Sequence, residues 1–310
     1  MTLLEDGLRT KRQQIDQALG ELFTDSEIPE VLAQALRRSL FPGGKRLRPV
    51  CVLATAELLR KAPAQVVGLA CAVELVHSAS LALDDLPSMD DASVRRGEPA
   101  LHARFGEATV VLAAITLLAR AFELVAETGR RLRLPRQATA ELVAELAQAV
   151  GARGMAAGQY VDLTAETGPG VRPAHPTPPY GGSKGEDLKT IEFIHSRKTG
   201  RLFVAAFRLS ASALRADELA LEALAGFGRN LGLAFQVTDD ILSVTTTSEQ
   251  LGKKSGRDER GVNFATLFGV DAARTLAEEL VTTATECLAI FGDRADFLRA
   301  LARFVVERRH

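Results

Sequence analysis

Leu83-Asp84-Asp85-Leu86-Pro87-Ser88-Met89-Asp90-Asp91 decides how this chain reads. Four carboxylates stand within eight positions. Ionised and close, they repel by roughly 4 kcal/mol per pair at an effective dielectric of about 20, so a cation is expected among them. A hard divalent ion suits the block. Mg2+ takes one or two carboxylates and fills its other positions with water and phosphate oxygens. Upstream, Val66 to Leu83 is a long apolar run; downstream, Arg95 and Arg96 follow the acids. The acids therefore sit at the mouth of an apolar element. Taken alone, an acidic block also reads as a solvated helix end.

The rest of the composition sets the fold around that mouth. The 310 residues are 46% hydrophobic but only 5% aromatic, enough to bury a large core. Ala, Leu, Glu and Arg recur, and the β-branched runs that mark sheets are missing. This predicts an all-α fold: one large helical bundle around a central apolar cavity, a single domain over 1–310. A net charge of −1 provides no general attraction for nucleic acid, so any phosphate binding must be local. Cys51, Cys71 and Cys287 form no CxxC pair, which argues against a zinc site or a disulfide framework. Met1 to Asp16 is charged and lacks an apolar signal core, so a cytoplasmic location is expected. Val66 to Leu83 carries Glu74, His77, Ser78 and Ser80, and is read as a core helix instead of a membrane span.

Further motifs line up with the acids. Gly43-Gly44-Lys45-Arg46-Leu47-Arg48-Pro49 joins exposed amides to three cations, an anion trap with Pro49 opening the next helix. Ala108 to Phe122 is apolar on almost every side and should be buried in mid-bundle. Pro135 to Val150 reads as a helix that Gly151 to Leu163 continues, with Gln159 and Asp162 on one face. Glu166 to Asp187 holds five prolines and five glycines and reads as a mobile surface excursion. Leu188 to Leu214 is predicted helical, bearing His195, Lys198 and Thr199 near its middle. On the next helix, Gln236, Asp239, Asp240 and Ser243 share a face, and Gly226, Gly228 and Gly232 predict close approach by another backbone. The basic tail after Glu307 reads as compensation of a helix C-terminus. In a bundle, the two acidic ends can face each other over an apolar floor, which fits a substrate with a diphosphate head and a hydrocarbon tail.

The chain resembles the trans-isoprenyl diphosphate synthases, or polyprenyl synthetases, of isoprenoid synthase-like fold. The resemblance rests on GGKRLRP from Gly43, DDLPSMDD from Asp84, RRG from Arg95, GMAAGQ from Gly154, Lys198-Thr199, FQVTDD from Phe235 and Gly252-Lys253. It implies that Lys45, Arg48, His77 and Arg96 hold isopentenyl diphosphate. Arg95, Lys198, Thr199, Gln236 and Lys253, with Asp240, would hold the allylic diphosphate. Asp84, Asp90 and Asp239 would carry most of the Mg2+, three ions with substrate bound, supported by Asp85 and Asp240. The implied reaction ionises the allylic diphosphate, adds the isopentenyl double bond and loses a proton, with Asp84, Asp85, Asp90, Arg95, Lys198 and Asp239 as the catalytic set. A homodimer is implied as well.

Two positions depart from the family pattern. Ser243 stands where a third Asp is usual, and Arg260-Gly261-Val262-Asn263 replaces a Gly-Lys pair. A weakly active or regulatory subunit of a heteromer, and a terpene cyclase, are the alternative readings; the GGKRLRP loop argues against the cyclase, which has no second diphosphate to bind. Ala79 and Ser80, five and four positions before Asp84, leave open a floor that an aromatic residue closes in fifteen-carbon enzymes. With the two extra residues inside DDLPSMD, this resembles bacterial and plant geranylgeranyl diphosphate synthases and implies a twenty-carbon product, with farnesyl or longer chains as alternatives.

Overall fold

The computed structural model describes residues 3–166, 184–245 and 263–308. Most of the Pro/Gly-rich stretch, Gly252, Lys253, Arg260 and the last two residues lie outside them. Fourteen α-helices are described: α1 (Leu3–Gly20), α2 (Glu30–Leu40), α3 (Leu47–Leu58), α4 (Val67–Asp84), α5 (Leu101–Phe105), α6 (Glu107–Arg131), α7 (Arg136–Val150), α8 (Met155–Glu166), α9 (Lys184–Ile194), α10 (Arg201–Ala213), α11 (Glu218–Thr245), α12 (Phe264–Phe268), α13 (Val270–Cys287) and α14 (Asp296–Glu307). The expected all-α fold is what forms. Among the described residues, the only strand pairing is a two-residue hairpin, β1 (Val94–Arg95) against β2 (Glu98–Pro99). Both residues of its turn, Arg96 and Gly97, have positive φ (54° and 76°), as a tight hairpin requires.

The long apolar runs become the bundle's centre. α4 packs along α6, and α11 lies along α10 and α13. Phe207 and Phe227 join α10 to α11 edge to face, with ring centroids 5.1 Å apart. Because α4 is apolar almost all round, residues from Leu69 to Ala82 are largely buried, and the helix delivers Asp84 and Asp85 at its C-terminal end.

Several boundaries differ from expectation. α8 does not continue α7, because Gly151 and Gly154 break the chain; a Cβ on Gly154 would come within 2.0 Å of the Ala149 carbonyl oxygen. The helix predicted through Leu214 is interrupted by a π-helical turn, His195–Gly200. α6 is not enclosed by the described residues either: Val111, Leu112 and Ile115 stay exposed. By length and composition α4 and α6 could each cross a membrane, but 61% of the apolar window of α4 is buried against 39% for α6, so α4 is the core helix.

Arg46 is the main structural surprise of the glycine loop. It stands in left-handed backbone (φ 53°) just before α3, buried, and does not face an incoming anion. Its Nε donates to Asp16 Oδ1 at 2.9 Å, its Nη2 to the Leu40 carbonyl at 2.6 Å, and its Nη1 to Glu74 Oε1. One guanidinium thus ties α1, α2 and α4 to the start of α3. Gly43 is small because that guanidinium fills its side-chain space, with Arg46 Cζ 2.2 Å from where a Cβ would stand. Arg46→Met strands the buried Glu74 carboxylate and should cost about 3–5 kcal/mol in urea denaturation, most of it recovered in Arg46→Met/Glu74→Leu. Equal loss in both variants would show that the clamp is not the source.

Candidate active site

Each acid of the DDLPSMDD block has a different environment. Asp85 is buried, and its two oxygens accept from Arg95 Nε at 2.7 and 2.6 Å, with Arg95 Nη2 also on Oδ1. The hairpin thus folds Arg95 back onto the helix end, and two groups expected at metal and substrate are paired with each other. Asp84 and Asp90 are half-buried, and the Asp90 amide donates to the Asp84 carbonyl at 2.9 Å. Burial pushes Asp84 up to about 6, and Asp90 and Asp85 add to it, while Lys198 and Arg95 pull it back. Among the described residues, no three His, Cys, Asp or Glu side chains converge to form a closed metal cage. Hard oxygen donors offered one or two at a time fit Mg2+, which keeps water and phosphate oxygens in its shell.

The π-helical turn connects this end to the second acidic end. Lys198 Nζ donates to Asp162 Oδ2 of α8 at 2.6 Å; burial, which would lower the ammonium, is outweighed by Asp162, Asp84 and Asp90. The next residue looks the other way, where Thr199 Oγ1 donates to Gln236 Oε1 at 2.7 Å and Gln236 Nε2 donates to Asp240 Oδ1 at 3.2 Å. His195 Nε2 stands 3.4 Å from Asp240 Oδ2. Burial drives both groups toward neutrality, His195 down to about 4 and Asp240 up to about 7. Two glycines press the turn into place. A Cβ on Gly158 would lie 2.4 Å from Lys198 N, and one on Gly232 would lie 2.9 Å from Gly200 Cα. The expected close approach at Gly228 and Gly232 is present, with Val204 Cα 3.2 Å from a Cβ on Gly228.

Asp240 is held from several sides. Its Oδ2 also accepts the Phe264 amide at 3.1 Å, which ties α12 to α11. Ser243 is exposed; its Oγ donates to the Asp240 carbonyl at 2.8 Å and accepts from Asn263 Nδ2 at 3.3 Å. Asn263 in turn caps α12 through a capping box with Thr266. Ser243 and Asn263 therefore meet in one local lock, while Arg260, Gly261 and Val262 lie outside the described residues.

Asp239 points into a cluster of cations. Lys45 is exposed, lowered by its own partial burial and by Arg308, and supported by Asp239. Arg48 stacks on Phe203 at 4.7 Å and Phe235 at 5.5 Å, with Nη1 3.4 Å from His77 Nε2. Burial, then Arg48, Arg96, Arg95 and Arg46, hold His77 well below its ordinary range, so it is neutral. Arg48 Nε is buried and has no hydrogen-bond partner among the described residues. Gly44 makes room for Arg96, whose Nη2 lies 2.6 Å from where a Cβ would stand, and Arg96 Nη1 reaches the Pro42 carbonyl at 3.4 Å. Arg308 at the end of α14 donates to Asp239 Oδ1 at 2.8 Å, so it does more than compensate its own helix terminus. Ala79 is fully buried, and Ser80 Oγ bonds the His77 carbonyl at 2.8 Å.

The sequence reading named both acidic ends, Lys45, Arg48, His77, Arg96, Lys198, Thr199 and Gln236, and the structure gathers them. Lys253, named with them, lies outside the described residues. Asp162 and His195 have no assigned role in the sequence, and Arg308 has only helix-end compensation. For Asp162 a signal existed, its shared face with Gln159; for Arg308 nothing in the sequence indicates a partner 69 positions away.

Two carboxylate ends of an all-α bundle, each backed by cations, fit a trans-prenyltransferase, and the comparisons with known proteins agree. The chain belongs to the polyprenyl synthetase family, whose model matches residues 29–290. It is 37% identical over 309 residues, 99% of this chain and 84% of the relative, to a dimethylallyltranstransferase of Fischerella ambigua. It is 40% identical to geranylgeranyl pyrophosphate synthase 11 of Arabidopsis thaliana, over 90% of this chain and 75% of that one. Among solved structures, an FPP/GFPP synthase of Zymomonas mobilis superposes with a TM-score of 0.83 at 33% identity, covering 97% and 98% of the two chains. A Helicobacter pylori geranyltransferase complexed with magnesium and isoprenyl diphosphate superposes at 0.77 with 28% identity, covering 99% and 97%.

Proposed function

We propose that this prenyl diphosphate synthase joins isopentenyl diphosphate to an allylic prenyl diphosphate with Mg2+ as cofactor, giving geranylgeranyl diphosphate. The observation that carries the reading is Arg48. A guanidinium held over the rings of Phe203 and Phe235, with a buried Nε that has no partner among the described residues, is prepared for an anion other than the allylic diphosphate at the Asp84 end. Two anion sites mean two diphosphates, which a condensing enzyme needs and a cyclase does not.

In the reaction, the allylic C1–O bond breaks and its electron pair leaves with the diphosphate. The isopentenyl double bond then attacks C1, a C–C bond forms, and a proton leaves C2 of the former isopentenyl unit for the released diphosphate. Asp84, Asp90 and Asp239 would hold the ions, three with substrate bound, and bound Mg2+ would neutralise the departing diphosphate. Lys198, fixed by Asp162, offers its ammonium to that leaving group, and Thr199 and Gln236 fix the turn that carries it. Lys45, Arg48, neutral His77 and Arg96 orient isopentenyl diphosphate, and Phe203 and Phe235 keep water from the cation. Radiolabelled isopentenyl diphosphate with Mg2+ should enter a longer prenyl diphosphate. Asp84→Ala should slow turnover on the order of a hundredfold; near wild-type activity in that variant, or activity in excess chelator, contradicts the metal assignment.

Chain length follows from α4. Ala79 and Ser80 lie about one turn below Asp84, a rise of ~5.4 Å, comparable to one five-carbon unit. Wild type should make the twenty-carbon product, and Ala79→Phe the fifteen-carbon one. Because Ala79 is fully buried, overpacking could instead destabilise the protein, so Ser80→Phe at the half-buried neighbour serves as a second blocking variant. A fifteen-carbon wild-type product, or twenty-carbon product from both folded variants, overturns the gate.

We further propose that residues 1–310 act as a single unit in the cytoplasm and as a homodimer. Val111, Leu112 and Ile115 form an exposed apolar stripe on α6 that a second copy would cover. Sedimentation should give a dimer at micromolar concentration; a stable monomer contradicts it.

A further inference from the structure

Arg308 gives Asp239 a partner from the far end of the chain. Its Nη2 donates to Asp239 Oδ1 at 2.8 Å and to the Phe235 carbonyl at 2.8 Å, and its guanidinium lies over the Phe235 ring at 3.9 Å. The Arg308 side chain is 6% exposed and that of Asp239 41% exposed. Lys45 and Arg48 feel the charges of both Asp239 and Arg308, so three cations surround one carboxylate. Glu74, the other acid within reach of Arg48, is already committed to Arg46.

One carboxylate with two competing kinds of cation is an exchange site. A divalent ion on Asp239 competes with the guanidinium for Oδ1, the oxygen that Arg308 holds, through both charge and space. Three of the four contacts made by Arg308, from Nε to the Val305 carbonyl at 3.1 Å and with the Phe235 ring and carbonyl, do not involve Asp239. When the carboxylate is taken, Arg308 therefore stays next to Arg48, which shares the Phe235 ring.

We propose that Arg308 is an exchangeable counterion that holds Asp239 until a divalent cation takes it, then joins Lys45 and Arg48 around the second diphosphate. The second half rests on the function proposed above; the first does not. Metal at Asp239 thereby completes the isopentenyl site.

The test measures binding, not turnover. Mn2+ is titrated into the full chain with inorganic pyrophosphate, free Mn2+ being followed by electron paramagnetic resonance. Arg308→Gln should bind Mn2+ roughly three- to tenfold more tightly than wild type, and the gain should vanish in the Asp239→Asn background. Isopentenyl diphosphate, titrated without an allylic substrate, should bind wild type more tightly once Mn2+ and pyrophosphate are present, an enhancement that Arg308→Gln should lose. Unchanged or weaker Mn2+ binding in Arg308→Gln, or an equal gain in the Asp239→Asn background, overturns the exchange. If Arg308→Gln does not fold, Arg308→Lys, which loses the planar fork, should tighten Mn2+ by a smaller factor, and no tightening overturns the proposal. Tighter Mn2+ binding in a protein that incorporates no isopentenyl diphosphate would leave the exchange standing and remove the function.

Discussion

Carboxylates held where burial opposes their charge are the constraint on which this structure depends. Asp84 and Asp240 are both pushed well above the ordinary carboxylate range, chiefly by loss of water. The chain answers with cations from distant places: Arg95 from the hairpin onto Asp85, Lys198 from the π-helical turn toward Asp84 and Asp90, and Arg308 from the last helix onto Asp239. Each pairing binds a separate part of the chain to an acidic end of the bundle. The acids are thus costly in isolation and organising in company.

The π-helical turn shows how packing serves chemistry. A regular helix through His195–Gly200 would space its side chains at the helical period; the wider turn sends Lys198 to one acidic end and Thr199 to the other. Gly158 on α8 and Gly232 on α11 let two helices close on that turn at distances no side chain would permit. The GMAAGQ motif thus acts through backbone proximity to Lys198, and the glycines of α11 act the same way from the other side.

Much of this was legible in the sequence because it is local. The apolar run that becomes α4, the acids at its end and the shared face of Gln236, Asp239 and Asp240 all follow from spacing along one helix. What was not legible depends on contacts between distant segments. Arg46 looked like one of three equivalent cations, yet partners 28 and 30 positions away make it a buried clamp while Lys45 and Arg48 remain for binding. Asp85 and Asp84 are neighbours in sequence, but the hairpin brings Arg95 back to only one of them. The apolar face of α6 read as core, and periodicity could not say whether this chain covers it.

Anomalous diffraction from crystals grown with Mn2+ and inorganic pyrophosphate tests the central claim most directly, because it shows which carboxylates take the metal. The account predicts manganese peaks on Asp84 and Asp90 and on Asp239, with Asp85 still on Arg95 and pyrophosphate oxygens at Lys198. Manganese bound elsewhere, or on Asp85 with the Arg95 pair broken, would contradict it.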